Sequence, residues 1–241
     1  CGNRGRSGLV AFVLHIAFWA PMMENSRRTR ARADERPVIL ASSSPRRRWL
    51  LERAGLPVRI ITPPPEAEEV GAKAAPTQRA LLAARAKAFA VASKQSGALV
   101  LGADTVVVLD GEVLGKPESE ADARRMLGRL SGRCHEVHTA VVVAAVAKGH
   151  PTVLAEAVVS SAVAFRALTA QEIEEYVRTG EPMDKAGGYG IQGGGCEFVA
   201  SIEGPWDNVV GLPVDTVLAL LASAKEKLAA KEADGDTALV Q

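Results

Sequence analysis

The chain has 241 residues, 47% of them hydrophobic and 4% aromatic, with 29 Lys and Arg against 28 Asp and Glu for a formal net charge of +1. That balance excludes a general nucleic-acid binder, which would carry a strongly basic face interleaved with aromatics. The length suffices for one large domain or for two lobes around a cleft.

The amino end carries an apolar run, Leu9 to Ala20, preceded by Arg4 and Arg6. It resembles the core of a secretory signal but is too short to span a bilayer, which takes ~20 residues, and no small-residue cleavage site follows clearly. Met22 and Met23 come directly afterwards, so residues 1–21 are read as upstream sequence in preference to a signal. Residues 27–36 form a basic lead-in whose Asp34 and Glu35 argue against an organellar transit segment. The expected partition is a non-core extension over 1–36, a folded domain over 37–231 and a disordered polar tail over 232–241.

Pro37 to Ala41 reads as a short strand, followed by Ser42-Ser43-Ser44-Pro45-Arg46-Arg47-Arg48. Ser44 is placed as N-cap and Pro45 as the first residue of a helix running to about Gly55. Free N–H groups and the positive dipole end favour an anion there, and arginines in a first turn oppose that dipole unless an anion is bound. The alternative is a solvated basic face on an amphipathic helix that buries Trp49, Leu50 and Leu51.

Ala98 to Leu109 reads as a buried strand closed by Asp110-Gly111, the dipeptide of a tight type I′ turn, with a return strand carrying Lys116 back alongside. A carboxylate in such a run, Asp104, must be solvated by a cleft, protonated, or paired with a cation or metal. Together Asp104 and Lys116 suggest a phosphate site; a structural ion pair is the competing explanation. Further on, Ser119 with Asp122 and Thr169 with Glu172 begin helices ending near Gly132 and Gly180. Val137 to Val146 and Thr152 to Phe165 look like long paired strands, and Pro213 opens a final helix to about Lys231. His135 and His138, three apart on a strand, point to opposite faces and so do not suit a shared metal.

Glu181 to Gly195, EPMDKAGGYGIQGGG, is too glycine-rich for a helix or regular strand and must be a loop brought close to something. Its Gly188-x-Gly190-x-x-Gly193 lacks the preceding strand and following helix of a dinucleotide fingerprint, and a strand-like CEFVASI follows instead. Gly115-Lys116-Pro117 likewise lacks the remaining residues of a phosphate-binding P-loop. The three cysteines, Cys1, Cys134 and Cys196, show neither metal-ligand spacing nor an even-numbered framework. A reducing, cytoplasmic setting is expected, with Cys134 and Cys196 as buried thiols of strand-like runs.

In order, LASSSPRRR, GADTVVV, LGKP, LSGRCHEVHTAV, EPMDKAGGYGIQG and NVVGLP resemble the Maf family of nucleoside triphosphate pyrophosphatases, over Val38 to about Leu220. The resemblance implies an α/β fold of the inosine-triphosphatase type: a mixed twisted sheet with flanking helices, and two lobes around a nucleotide cleft. It implies hydrolysis of a nucleoside triphosphate to the monophosphate and pyrophosphate. Asp104 would be the proton acceptor, and Ser42, Arg47, Lys87 and Lys116 would bind the triphosphate. Members preferring dTTP and UTP carry the equivalents of Arg46, Thr105 and Gln192, so modified pyrimidine triphosphates are further candidates. Relatives acting on other bases differ there, for instance with tryptophan after the Ser-Pro.

A divalent metal cation, Mg²⁺ or Mn²⁺, is implied as cofactor, with Asp104 and an acidic residue after the second strand as ligands. Glu66, Glu68 and Glu69 are available in PPPEAEEVG, and spacing back from Lys87 favours Glu68 among them; a solvated acidic loop is the alternative for each. Family likeness also implies a homodimer, with no nucleic acid and no membrane as partners. A regulatory nucleotide-binding protein linked to cell division or septum formation is the alternative function; such a binder could dispense with Asp104.

Overall fold

In the computed structural model of the chain, residues 38–237 are described apart from 69, 72, 96 and 148; for residue 68 and for 231–237 only the backbone is. The chain enters as β1 (Val38–Ala41), α1 (Pro45–Arg53) and β2 (Val58–Ile60), then passes a 3₁₀ turn (Pro65–Glu68) into α2 (Pro76–Ala92). The hairpin β3 (Val100–Leu109) and β4 (Glu112–Leu114) leads to α3 (Glu120–Leu130) and to the long hairpin β5 (Cys134–Ala147) and β6 (His150–Phe165). After α4 (Ala170–Arg178), three 3₁₀ turns occupy Glu181–Asp184, Ala186–Gly188 and Gly194–Phe198. The chain ends in β7 (Val199–Glu203), α5 (Trp206–Val210) and α6 (Val214–Thr237).

Local chemistry accounts for these boundaries. The Ser44 hydroxyl accepts from the Arg47 N–H, with Pro45 opening α1. Ser119 caps α3, Thr169 and Glu172 close a capping box on α4, and Gly132 and Gly180 follow these helices at φ 68° and 73°. At the hairpin tip Asp110 and Gly111 take φ 53° and 80°, as a type I′ turn requires. Helix α6 continues to Thr237, beyond Lys231, so the first residues of the tail expected to be disordered are helical. The signal-like run, the lead-in and Cys1 all lie outside the described residues.

The seven strands form one mixed sheet in the order β2-β1-β3-β5-β6-β7, with β4 also on β3. The long β3 positions the site. Its first residues, Val100 to Gly102, pair with β1 in parallel, and its last, Val107 to Leu109, pair with β4 on the same side. Positions 103–106 of that edge have no strand partner among the described residues. Every residue of β3 is buried except Asp104 and Thr105, which are half-buried at this break.

Three apolar clusters cover the sheet. Leu40, Leu51, Leu101, Leu212 and Leu221 join α1 and α6 to one face at one end. Leu109, Leu114, Leu127, Leu130 and Phe165 join α3 and α4 to the sheet at the other. The opposite face takes α2 through Ala80, Ala84 and Ala88 against Val100, Val106 and Val142. Each fully buried leucine contributes about 2 kcal/mol, so the first two clusters stabilise two lobes with a gap at the break in β3.

Cys134 differs from expectation: it is exposed. Along the start of β5, Cys134 and Glu136 face solvent while His135 and Val137 face inward, as period-two alternation requires. Cys196 is half-buried in a 3₁₀ turn, and the strand expected to begin there starts at Val199.

Candidate active site

A cleft of about 330 Å³ opens between the lobes, at the carboxyl end of β1 and the gap in β3. Open α/β sheets bind ligands outside the carboxyl ends of their strands for this topological reason. Its lining includes Ser42, Arg46, Arg47, Lys87, Asp104, Thr105 and Lys116, which brings together seven residues singled out in the sequence.

Asp104 and Lys87 form the centre. Lys87 lies in the buried stripe of α2 among Ala80, Ala83, Ala84, Ala88 and Val91, and its Nζ donates to Asp104 Oδ1 at 2.7 Å. Gly102, two residues before Asp104 on the same face, permits this contact. A Cβ there would stand 2.3 Å from the Ala84 carbonyl oxygen and 2.9 Å from Ala88. Lys116 lies two residues past the end of β4 and also lines the cleft, so two lysines from different elements, Lys87 and Lys116, share it with Asp104.

The three arginines of α1 diverge. Arg48 turns outward to Glu52 at 2.6 Å. Arg46 reaches the cleft mouth, 3.9 Å from Asp184. Arg47 folds back into the protein, where its Nε donates to the Gly211 carbonyl at 2.8 Å, Nη1 to Ser42 Oγ at 3.2 Å and Nη2 to Thr105 Oγ1 at 3.1 Å. Ser42 Oγ also accepts from the Ser44 N–H, which fixes the serine turn. Thr105 points to the opposite face from Asp104; its hydroxyl shares a 3.0 Å hydrogen bond with Thr139, which donates in turn to the Asn208 carbonyl.

Two cleft residues were not found in the sequence. Lys185 donates to Asp184 at 2.5 Å and to the Glu181 carbonyl at 2.9 Å, and both charged side chains line the cavity. Burial pushes the Asp184 carboxyl upward, but Lys185 and Arg46 outweigh it and hold Asp184 below the usual carboxylate range. The DK pair sits in an otherwise glycine-rich stretch and was the one available signal. The lining thus holds five cations, Arg46, Arg47, Lys87, Lys116 and Lys185, against two carboxylates, Asp104 and Asp184. Such an excess in a walled cleft favours a polyanion.

The wall opposite is apolar, with Val107, Val137, Tyr189 and Ile191. Tyr189 shares a 2.8 Å hydrogen bond with His135 Nε2. Burial lowers the His135 pKa to about 4, so the imidazole is neutral at pH 7. His138 faces the other way, toward Ser160 at 2.7 Å. Gln192 is exposed and lies one residue beyond the lining, next to Ile191.

A divalent cation would find few hard donors in the cleft itself. Among the described residues no group of three or more His, Cys, Asp or Glu could hold a metal. Glu66 is exposed on the 3₁₀ turn, while the Glu68 side chain and Glu69 lie outside the described residues. Asp104 is a hard oxygen donor in a cationic cleft. That fits a cation which fills most of its shell with phosphate oxygens and water, since Mg²⁺ is commonly bound through one or two carboxylates plus substrate phosphates.

Comparison with known proteins agrees with this architecture. A family profile described as Maf-like protein matches residues 37–224. The chain is 54% identical over 185 residues to a dTTP/UTP pyrophosphatase of Moorella thermoacetica, covering 77% of this chain and 93% of that protein. It is 48% identical over 184 residues to a dTTP/UTP pyrophosphatase of Symbiobacterium thermophilum, covering 76% and 92%. With a dTTP/UTP pyrophosphatase of Dictyoglomus thermophilum the identity is 45% over 187 residues, covering 78% and 95%.

Proposed function

This chain belongs to the Maf family, and from that premise we propose that it hydrolyses nucleoside triphosphates, dTTP and UTP foremost, to the monophosphate and pyrophosphate. The observation that carries the reading is the placement of Asp104 at the break in β3, facing a cleft with five cationic side chains. The relatives' names supply the substrate class.

In this reading Asp104 accepts a proton from a water molecule as the water oxygen bonds to the α-phosphorus. The bond from that phosphorus to the bridging oxygen breaks, and pyrophosphate leaves with the bridging oxygen. Lys87 orients the carboxylate through its 2.7 Å hydrogen bond. Lys116, Arg46 and the serine turn at the start of α1 offset the charge that builds on the phosphates. A divalent cation, held by Asp104 and by Glu68 of the acidic segment, would hold the triphosphate and ease departure of pyrophosphate. Arg46 and Gln192 set the pyrimidine preference, while Thr105 holds Arg47, which binds the triphosphate. A reducing, cytoplasmic setting is consistent with the free thiols Cys134 and Cys196, and dimerisation enters through family likeness. Among the described residues no helix is long and apolar enough to cross a membrane.

Pyrophosphate release from dTTP, UTP, dCTP, dATP and GTP, with Mg²⁺ or Mn²⁺ and with a chelator control, tests the reading. Metal-dependent release from dTTP and UTP above the purines is expected. Nucleotide binding without release from any triphosphate would overturn it in favour of a regulatory binder.

A further inference from the structure

Ile191 and Gln192 sit on a turn that is clasped from behind by two side chains outside the cleft lining. Tyr176 of α4 is buried, stacked edge-on against Phe198 at 4.9 Å. Its hydroxyl accepts from the Gly190 N–H at 3.0 Å and donates to Glu181 Oε1 at 2.9 Å. The other carboxylate oxygen, Oε2, accepts from the Gly194 N–H at 3.0 Å. One phenol and one carboxylate therefore fix both ends of the segment Gly190 to Gly194.

The glycines make room for this arrangement. A Cβ at Gly190 would lie 2.8 Å from Glu181 Oε1, one at Gly193 would lie 2.2 Å from the same atom, and one at Gly195 would lie 2.9 Å from the Tyr176 hydroxyl. The glycine-rich sequence is shaped around the Tyr176–Glu181 pair.

We propose that Tyr176 and Glu181 are positioning residues that set where Ile191 and Gln192 stand, and thereby the affinity and base preference for the nucleoside end of the substrate. Neither touches the cleft. Ile191 forms part of the apolar wall, and Gln192 offers amide donors and an acceptor to a base edge. An unclasped turn samples positions in which those groups miss the base. This inference rests on the proposed function and deepens it.

Tyr176→Phe keeps the ring and its stacking and removes only the hydroxyl, and Glu181→Gln leaves an amide that can accept from Gly194 or from Tyr176 but not from both. The dissociation constant of dTTP, measured by calorimetry with a chelator present, is expected to rise about five- to ten-fold in Tyr176→Phe, the scale of one lost buried hydrogen bond. In turnover the KM for dTTP should rise comparably with kcat within about two-fold, and the kcat/KM ratio of dTTP over dCTP should fall. Amide exchange at Gly190 and Gly194 should quicken. The double variant should cost less than the sum of the singles, because both act through one clasp.

Equal dissociation constants and an unchanged dTTP/dCTP ratio would overturn the proposal, as would a loss confined to kcat. Wild-type protein that binds dTTP but releases no pyrophosphate would instead sink the reaction and leave the binding comparison to decide this point.

Discussion

Lys87 and Asp104 meet at 2.7 Å across the interface of α2 with β3, and the contact exists because Gly102 lets the helix backbone settle onto the strand. The residue that supplies no side chain thus fixes the distance between the two charged groups at the centre of the cleft.

Gly102→Ala should push α2 away from β3, since the added Cβ meets a backbone carbonyl that cannot swing aside. Overpacking of this kind costs about 1–3 kcal/mol. Urea unfolding should give a lower midpoint with unchanged slope, and turnover should fall even where the variant is fully folded.

Thr105 acts through Arg47. Its hydroxyl accepts from the guanidinium and pairs with Thr139 in a buried network. Thr105→Val, close in shape but without the hydroxyl, should raise KM about ten-fold by loosening Arg47. Thr105→Ser should recover most of it. If Thr105 read the base directly, the two variants would differ in base preference more than in overall affinity.

His135 couples stability to pH. Its folded-state pKa of about 4 lies below the ordinary 6.5 because burial disfavours the imidazolium. Between those values the unfolded chain binds more protons than the folded one, so stability is full above about pH 6.5 and falls as the pH drops toward 4. The loss is on the order of 3 kcal/mol. Glu172, held near 2 by its hydrogen bond from Arg166 and by the Thr169 cap, adds a loss at still lower pH. Denaturant midpoints from pH 8 to 4 check this; His135→Gln should flatten the limb between 6.5 and 4.

Where structure depends on local chemistry, it was legible in the chain. Ser44 and Pro45 announced α1, Asp110-Gly111 announced the hairpin, and an aspartate in a valine-rich strand demanded a partner. The identity of that partner was not legible, because Lys87 reaches Asp104 through helix packing that no local pattern encodes. Arg47 lines the cleft, and what the chain did not show is that Gly211, far along it, Ser42 and Thr105 would hold the guanidinium. The exposure of Cys134 was missed although Glu136, two residues on, marks that face of β5 as the solvated one. The Tyr176–Glu181 clasp was invisible because glycine spacing shows that something comes close, not what.

Asp104→Asn is the most direct test of the account. Asparagine keeps an oxygen that can accept from Lys87 but cannot take a proton from water. Single-turnover release of pyrophosphate from dTTP should fall about 10³-fold, while the dissociation constant for dTTP stays within roughly three-fold of the parent. Turnover retained at near-parental rate, with the substitution verified, would contradict the assignment of Asp104 as the base.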